Sequence, residues 1–325
     1  MLQKRCAYWT GRTKHITLKG AADAAATKEG WSHRLERFVK LLTPEGNDEE
    51  PDTNVWLSQG PTVAGLHYDQ NHNFLTQLTG RKRVELLTHT GTHTTGAKLH
   101  PYNHPSWRQA QLDTTAGLPD VPAAVVLSPG DSLYIPPFML HRVVSLDGTS
   151  ISVNTWFRSR ASAVEEAGRD LSLPLRPDAA PGELDCAVRF YAQRFLTHLS
   201  NSITASIKTS SVGTTSTAER ERERFQPKAF LDSLYTERFG LLLRGASGNP
   251  QSCRSCRSFQ VSESELEASA VRNAAHFGES GLSLGILGTM AGDHVESVVG
   301  FAVEVGGHEG GAVAAAGQLL RCAGG

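Results

Sequence analysis

Hydrophobic and polar residues change their spacing twice along this chain. Over residues 54–160, short apolar or alternating runs are separated by Gly, Pro, Asp and Asn, a pattern typical of β-strands joined by turns. The runs are VWLS, NFLTQL, RVELL, AVVLS, SLYIP, HRVVSL and SISVNTWF. Because no helical spacing intervenes, they predict an antiparallel sandwich or jelly roll.

Helical spacing appears on both sides of this region. In the segment 1–53, the stretch WSHRLERFVKLL (31–42) repeats its apolar residues with the period of a helix. Residues 161–245 carry further apolar stripes that predict C-terminal helices, whereas residues 246–325 are rich in Gly, Ala and Ser and predict a poorly ordered tail. The fold class expected is therefore mainly β with flanking α-helices.

A long insertion, 89–124, separates two of the predicted strands and is rich in His, Thr and Pro. Long loops in compact domains are often binding loops or lids, so we expect this insertion to contact substrate. Its histidines fit no standard zinc spacing, and a solvated loop is the better interpretation. They are His89, His93, His100 and His104. The lone pair Cys253 and Cys256 is equally weak as a metal or redox signal.

Composition narrows the class of protein. The 325 residues have a formal net charge of −1, which does not favour nucleic acid or an anionic membrane as a partner. Five cysteines are sparsely spaced, so a disulfide framework is not expected and a reducing compartment is favoured. The first residues contain no apolar signal region, and no apolar run is long enough for a membrane span. A cytoplasmic or nuclear protein is expected.

The strongest chemical signal is the pair His67 and Asp69. Residues two apart on a strand point to the same face, so both side chains can reach one metal ion. His141 opens a later strand after an SPGD turn and a Pro-Pro bend, and it would complete a 2-His-1-carboxylate site with open positions for other ligands. Chance occurrence of the first pair, and a partly buried sheet histidine at 141, are the alternatives.

Two segments together resemble a known family. GLHYDQNHNFLTQLTGRKRVELL (65–87) and GDSLYIPPFMLHRVVSLDGTSISVNTWF (130–157) are similar to the JmjC (cupin-like) Fe(II)- and 2-oxoglutarate-dependent oxygenases. The likeness is to the small JmjC protein hydroxylases, such as the asparaginyl hydroxylase that inhibits hypoxia-inducible factor. It implies a double-stranded β-helix (jelly-roll or cupin) core over residues 54–160.

The resemblance also implies roles for individual residues. His67, Asp69 and His141 match the iron ligands, and Lys82 matches a lysine that binds the far carboxylate of 2-oxoglutarate. Asn73 and Asn154 match polar residues of the cosubstrate pocket. The residues alone leave Lys82 either buried or one of three exposed basic residues in a row. The implied activity is hydroxylation of a protein side chain, or of another macromolecule, with release of succinate and CO₂.

Two departures from the family pattern keep other functions open. Ala64 stands where many relatives have Ser or Thr, and residues 1–53 look short for the start of the barrel, which suggests truncation. The alternatives are a catalytically inactive JmjC-like binding module, a cupin enzyme that does not use 2-oxoglutarate, and a histone lysine demethylase. A protein substrate is expected, with tRNA and small molecules as alternatives, no membrane partner, and a homodimer through the C-terminal helices.

Overall fold

The computed structural model falls into two compact units, 1–91 with 114–162, and 92–113 with 163–325. The residues that the structure describes are 7–12, 51–87, 98–101, 104–111, 123–169, 171, 175–176, 178, 181–210, 226–243, 261–278, 282, 284–305 and 312–324. Each unit is described by itself below.

The first unit is built of antiparallel β-strands. In chain order the strands are β1 (Ala7–Arg12), β2 (Asp52–Gln59), β3 (Val63–His67), β4 (His72–Thr79), β5 (Lys82–Leu87), β6 (Ala123–Leu127), β7 (Ser132–Ile135), β8 (Leu140–Ser145) and β9 (Thr149–Phe157). One sheet has the order β1-β2-β9-β4-β7 and the other has the order β3-β8-β5-β6. Successive strands from β2 to β8 mostly change sheet, and β2 pairs with β9, so the chain winds as a double-stranded β-helix, as predicted.

The apolar core of this unit lies between the two sheets. Leu75 from the larger sheet packs with Val84 and Leu127 from the smaller one, and all three are almost fully buried. Side chains alternate between the two faces of a strand, so Lys82 shares the inner face with Val84. The strand pattern therefore places one basic residue inside the barrel.

The start of the chain differs from the sequence-based expectation. Ala7–Arg12 is a strand that pairs with β2, so the prediction of a purely helical or loop segment over 1–53 is wrong there. The partner strand lies more than 40 residues away in the chain, a contact that local spacing does not reveal. β1 is the edge strand of the larger sheet, and β2 lies between β1 and β9. The helix predicted at 31–42 lies outside the described residues.

The second unit is largely helical. After α1 (Arg160–Arg169), which begins in the first unit, come α2 (Pro181–Ser210), α3 (Pro227–Leu234) continued by a π-helical turn (Tyr235–Phe239), α4 (Glu263–Gly278), α5 (Leu284–Val305) and α6 (Ala312–Gly324). The predicted helical region 161–245 is thus confirmed where it is described. None of the described helices has the length and apolar character needed to cross a membrane.

The prediction of a poorly ordered tail over 246–325 is wrong for α4, α5 and α6. Ala270 and Ala274 on α4 are completely buried, as are Val295 and Val298 on α5. The many Gly, Ala and Ser residues of 246–325 predicted poor order. Small residues also allow helices to approach closely, as they do here. Tertiary packing, not apolar content per residue, decides the outcome here.

The described part of the insertion belongs to the second unit. The Arg238 guanidinium donates hydrogen bonds to the carbonyls of His100 (2.8 Å) and Trp107 (2.9 Å). The rings of His100 and His104 stack with centroids 4.2 Å apart, and no metal-binding group forms there among the described residues. His89, His93, Cys253 and Cys256 lie outside the described residues.

Cysteines show a second difference from expectation. Cys186 on α2 and Cys322 on α6 are both disulfide-bonded. The sparse spacing of cysteines along the chain gave no sign of this, because α2 and α6, which carry these two cysteines, contact each other only in the folded chain.

Candidate metal and cosubstrate site

The three predicted metal ligands are neighbours in the first unit. His67 at the end of β3 pairs with His141 on β8, and their rings lie 4.2 Å apart between centroids. Asp69 follows two residues after His67, and its Oδ2 is 3.8 Å from Nε2 of His141. Strand pairing between β3 and β8 thus brings together residues that are more than 70 positions apart in sequence.

Both imidazoles are oriented by backbone carbonyls. Nδ1 of His67 lies 2.7 Å from the Gly65 carbonyl, and Nδ1 of His141 lies 2.9 Å from the Met139 carbonyl. A ring nitrogen bonded to a carbonyl carries a proton, so Nε2 is the nitrogen that the neutral form of each ring can offer to a metal. Burial, followed by the neighbouring His67, lowers the pKa of His141, which keeps the imidazole neutral. Neutral histidines held in this way are typical metal ligands.

The Asp69 carboxylate is held by two side chains. Its Oδ2 accepts hydrogen bonds from Nδ2 of Asn73 (2.8 Å) and from Nε1 of Trp156 (3.0 Å). Burial raises the pKa of Asp69, but His141, His67 and these two hydrogen bonds together bring it below the ordinary value. Asn154 in turn donates to Oδ1 of Asn73 at 2.8 Å. The Asn73 side-chain amide therefore donates to Asp69 through Nδ2 and accepts from Asn154 through Oδ1.

The loop before His141 contains a strained residue. Phe138 has a φ of 62°, a conformation that bulky residues rarely adopt and that costs on the order of 1–3 kcal/mol. Its backbone N–H donates to the Asp69 carbonyl at 2.7 Å, and its ring stacks on Tyr68. Both aromatic rings are completely buried, so this packing stabilises the strained conformation and ties together the two segments that carry the ligands.

Lys82 is a buried cation on the inner face of the smaller sheet. It is 5% exposed, whereas the side chains of Arg81 and Arg83 are about half exposed, 54% and 48%. Its Nζ donates to Oγ of Ser152 at 2.6 Å. Burial lowers its pKa to about 8, and no carboxylate forms an ion pair with it within the described part of the chain. A buried amine with only a hydroxyl partner is poorly compensated and favours an anionic ligand.

Hydroxyl groups surround the floor of the barrel near Lys82. Ser145, which pairs with Lys82 across β5 and β8, has its Oγ 2.9 Å from that of Ser58 and 3.1 Å from Oγ1 of Thr62. Ala64 has no hydroxyl group, whereas Ser58, Thr62 and Ser145 do. Sequence reasoning did not single out Ser145, although its pairing with Lys82 places it on the inner face near the candidate site.

Trp156 shares one face of the strand with Ser152 and Asn154 in SISVNTWF, so the sequence predicts either a group that faces the cavity or an ordinary core residue. That pattern predicts a shared face but not which group contacts Asp69. The contact depends on the pairing of β9 with β4, which places Trp156 opposite Asn73.

The donor set suits a non-haem Fe(II) ion, although the side chains are not drawn together. Two neutral imidazoles and one carboxylate match the ligands that such iron sites use. As they stand, no group of three or more His, Cys, Asp or Glu in the described residues is close enough to hold a metal. The separation of 3.8 Å between Asp69 and His141 is in keeping with this. The chemistry of the donors therefore fits iron, and ligation would require the three side chains to move closer.

Comparison with known proteins agrees with this interpretation of the fold. Residues 23–163 match the model of the family described as Cupin-like domain. Among similar sequences, Lysine-specific demethylase 8 of Danio rerio is 33% identical over 122 residues, which are 35% of this chain and 29% of that protein. Jumonji C domain-containing protein 5 of Drosophila melanogaster is 32% identical over 34% of this chain and 29% of its own length.

A third relative has a different named role. The tRNA wybutosine-synthesizing protein 4 of Neurospora crassa is 31% identical over 37% of this chain and 10% of its own length. The chain therefore spans less than a third of each of these relatives. Among solved structures, YcfD of Escherichia coli matches half of this chain and 36% of its own, with 22% identity and a TM-score of 0.33.

Proposed function

Since residues 23–163 match the model of a cupin-like domain and part of the chain is similar to a Jumonji C domain-containing protein, we propose that this chain is an Fe(II)- and 2-oxoglutarate-dependent oxygenase. The observation that carries the proposal is the buried amine of Lys82, inside the same barrel as His67, Asp69 and His141. A protein has little reason to bury a lysine beside a single hydroxyl unless an anion completes its environment.

The strand register supports a diacid in particular. Lys82 pairs with Ser145, four residues after His141 on β8, which corresponds to about 13 Å along the strand. An extended lysine side chain and a five-carbon diacid can span this distance together. One carboxylate would then lie at the Lys82 amine and the other end of the molecule at the metal. Hydroxyl groups of Ser152 and Ser145 would satisfy the remaining lone pairs of the distal carboxylate.

Each residue has a defined task in this proposal. His67 and His141 would offer Nε2 to the iron, because Nδ1 of each ring is directed at a carbonyl. Asp69 would supply the carboxylate, and Lys82 would bind the far end of 2-oxoglutarate. Bound iron and 2-oxoglutarate would activate O₂, one oxygen atom of which would enter the substrate C–H bond and the other succinate, with release of CO₂. The barrel positions them and excludes water.

The substrate we propose is a protein side chain, which would be hydroxylated. The names of two relatives, a lysine-specific demethylase and a tRNA-modifying protein, support a macromolecular substrate for this chain as well. Demethylation of lysine begins with hydroxylation of the methyl group and ends with loss of formaldehyde, so the same site would serve. Release of formaldehyde from a methylated peptide would therefore favour the demethylase alternative.

The first experiment is spectroscopic. Protein prepared anaerobically with Fe(II) is titrated with 2-oxoglutarate, and the metal-to-ligand charge-transfer band in the visible is recorded. We expect the band in the wild type, its loss in His67→Ala, and a band in Lys82→Ala only at higher cosubstrate concentration. Absence of the band in folded wild-type protein at saturating Fe(II) and 2-oxoglutarate would contradict the proposal and favour a binding module.

An uncoupled turnover assay gives a second, independent measure. Many oxygenases of this kind convert 2-oxoglutarate to succinate slowly without substrate, so succinate is measured by mass spectrometry. Arg83→Ala is the matched control, because Arg83 lies on the same strand with its side chain half exposed. We expect Arg83→Ala to match the wild type, and Lys82→Ala and His67→Ala to give background levels.

A further inference from the structure

Both hydrogen bonds to the Asp69 side chain end on the same oxygen. Asn73 Nδ2 and Trp156 Nε1 donate to Oδ2 at 2.8 Å and 3.0 Å. A carboxylate oxygen has two lone pairs in its plane, so two N–H donors occupy the acceptor sites of Oδ2. The same oxygen lies 3.8 Å from Nε2 of His141, so the two donors hold the carboxylate beside that histidine.

The two donors are themselves fixed in place. Asn73 is 1% exposed, and its Oδ1 accepts a hydrogen bond from the buried Asn154. The indole of Trp156 meets the ring of Trp56 edge to face, with centroids 6.5 Å apart. The carboxylate of an aspartate rotates unless other groups restrict it. Here the hydrogen bonds from Asn73 and Trp156 restrict the rotation. The backbone of Asp69 is held as well, because its carbonyl accepts the Phe138 N–H.

We propose that Trp156 is a positioning residue which, together with Asn73, holds the Asp69 carboxylate in a fixed orientation beside Nε2 of His141, where a metal would bind. The inference rests on the proposed function, because it treats Asp69 as a metal ligand. Holding the ligand in advance removes the entropy cost of ordering it when the ion binds. Outer hydrogen bonds of this kind typically change metal affinity by about 10- to 100-fold.

A purely structural role for Trp156 makes a different prediction. If the indole only fills space between the sheets, a benzyl group of similar shape at this position preserves most of the packing and leaves metal affinity unchanged. Trp156→Phe separates the two roles, since it keeps an aromatic ring and removes the N–H donor. Trp56→Phe is the matched control, because Trp56 contacts the same ring but donates no hydrogen bond to Asp69.

The test is a titration of the full chain with Co(II), followed by visible absorption and calorimetry in the absence of 2-oxoglutarate. We expect the dissociation constant of Trp156→Phe to rise by about 10- to 100-fold, and that of Trp56→Phe to stay within about twofold of the wild type. Thermal denaturation of the metal-free proteins checks that both variants are folded. The affinity of the Co(II)-saturated protein for 2-oxoglutarate should be unchanged by Trp156→Phe.

Asn154→Ala provides a second route if Trp156→Phe fails to fold. It leaves both donors to Asp69 in place but removes the hydrogen bond that orients Asn73. We expect it to weaken Co(II) binding by a smaller factor than Trp156→Phe. Equal Co(II) affinity in the wild type and in both folded variants would overturn the positioning role of Trp156 and Asn73 and leave the oxygenase proposal intact. A folded wild type that binds no divalent metal would overturn both.

Discussion

The amine of Lys82 on β5 donates a 2.6 Å hydrogen bond to Ser152 on β9, across the space between the two sheets. The bond joins the inner faces of the barrel at a point where the apolar core gives way to polar side chains. A neutral hydroxyl offsets only part of the desolvation cost of a buried ammonium group. A bound anion would offset more of this cost. Replacing Lys82 with an uncharged residue should therefore raise the free energy of unfolding and lower the affinity for 2-oxoglutarate.

Replacing Lys82 with methionine should stabilise the protein and weaken cosubstrate binding. Methionine has similar length and no charge to desolvate. The fall of the Lys82 pKa from 10.5 to about 8 corresponds to about 3 kcal/mol of unfavourable burial, which sets an upper limit to the gain. Urea denaturation of metal-free protein gives the free energy of unfolding, and titration of the Co(II)-loaded protein gives the affinity for 2-oxoglutarate.

The control for this prediction is Arg83→Met, which removes an exposed charge from the same strand. It should change neither the free energy of unfolding by more than about 1 kcal/mol nor the affinity for 2-oxoglutarate. A loss of stability in Lys82→Met would mean that the amine contributes favourably to the empty fold, and the argument for an anion site would then fail.

The affinity for 2-oxoglutarate should depend on pH through Lys82. The pKa of its amine is about 8 in the folded protein, so the fraction charged falls about tenfold from pH 7 to pH 9. Binding of a carboxylate needs the charged form, and the dissociation constant should rise accordingly. Calorimetry in buffers of different ionisation enthalpy should detect proton uptake on binding at pH 9. Lys82→Arg, which stays charged, is expected to show no comparable pH dependence.

The same shift has a consequence for folding. Because the pKa of Lys82 in the folded state lies below its ordinary value of 10.5, the unfolded chain binds more protons than the folded chain between about pH 8 and pH 10.5. Lys82 therefore lowers the free energy of unfolding below pH 8. This loss becomes smaller as the pH rises from about 8 to 10.5. In Lys82→Met this contribution is absent, so the difference in stability between variant and wild type should shrink from pH 7 to pH 10.

The burial of Lys82 was predicted by the family resemblance and not by periodicity alone. Periodicity separates Lys82 from Arg81 and Arg83 but does not say which side is buried, and the structure shows that both arginines are half exposed. The fold class was predictable from the residues themselves, because alternation and turns recur over the whole region 54–160. His67 and Asp69 were recognised as a local pair.

What the sequence did not reveal depends on contacts between distant strands and helices. The bond from Trp156 to Asp69 joins residues 87 positions apart and exists only because β9 pairs with β4. Composition suggested a disordered tail, yet Ala270 and Ala274 are buried in helix packing that no local pattern records. The strand at Ala7–Arg12 likewise becomes identifiable only through its pairing with β2.

A buried ion pair in the smaller sheet should be important for stability. Glu85 Oε2 accepts a hydrogen bond of 2.7 Å from Arg142, and the side chains of both residues are 6% exposed. Glu85→Ala removes this carboxylate partner of a buried guanidinium and should lower the free energy of unfolding by about 3–5 kcal/mol. Arg83 also contacts Glu85 but is half exposed, so Arg83→Ala should cost less than about 1 kcal/mol. Chemical denaturation followed by circular dichroism compares the two variants, and similar losses in both would contradict the argument.

Gly80 and Gly130 both have a positive φ, but only at Gly80 would an added side chain also meet a steric conflict. Gly80, with a φ of 69°, turns the chain between β4 and β5, and an added Cβ would collide with the backbone carbonyl of Thr149. Gly130 has a φ of 96° but open space where a Cβ would lie. Gly130→Ala should therefore cost about 1–2 kcal/mol from backbone strain alone.

Gly80→Ala should cost more than Gly130→Ala, because Thr149 begins β9 and must shift to make room for the new methyl group. That shift would also move Ser150 and Ser152, which follow on β9, and would disturb the proposed cosubstrate site. We expect the affinity of Co(II)-loaded Gly80→Ala for 2-oxoglutarate to fall, whereas Gly130→Ala should bind as the wild type does. Thermal denaturation and calorimetry on the same samples test both parts. Equal melting temperatures for the two variants would show that the conflict at Thr149 is relieved without cost, and the link from this turn to the site would then be wrong.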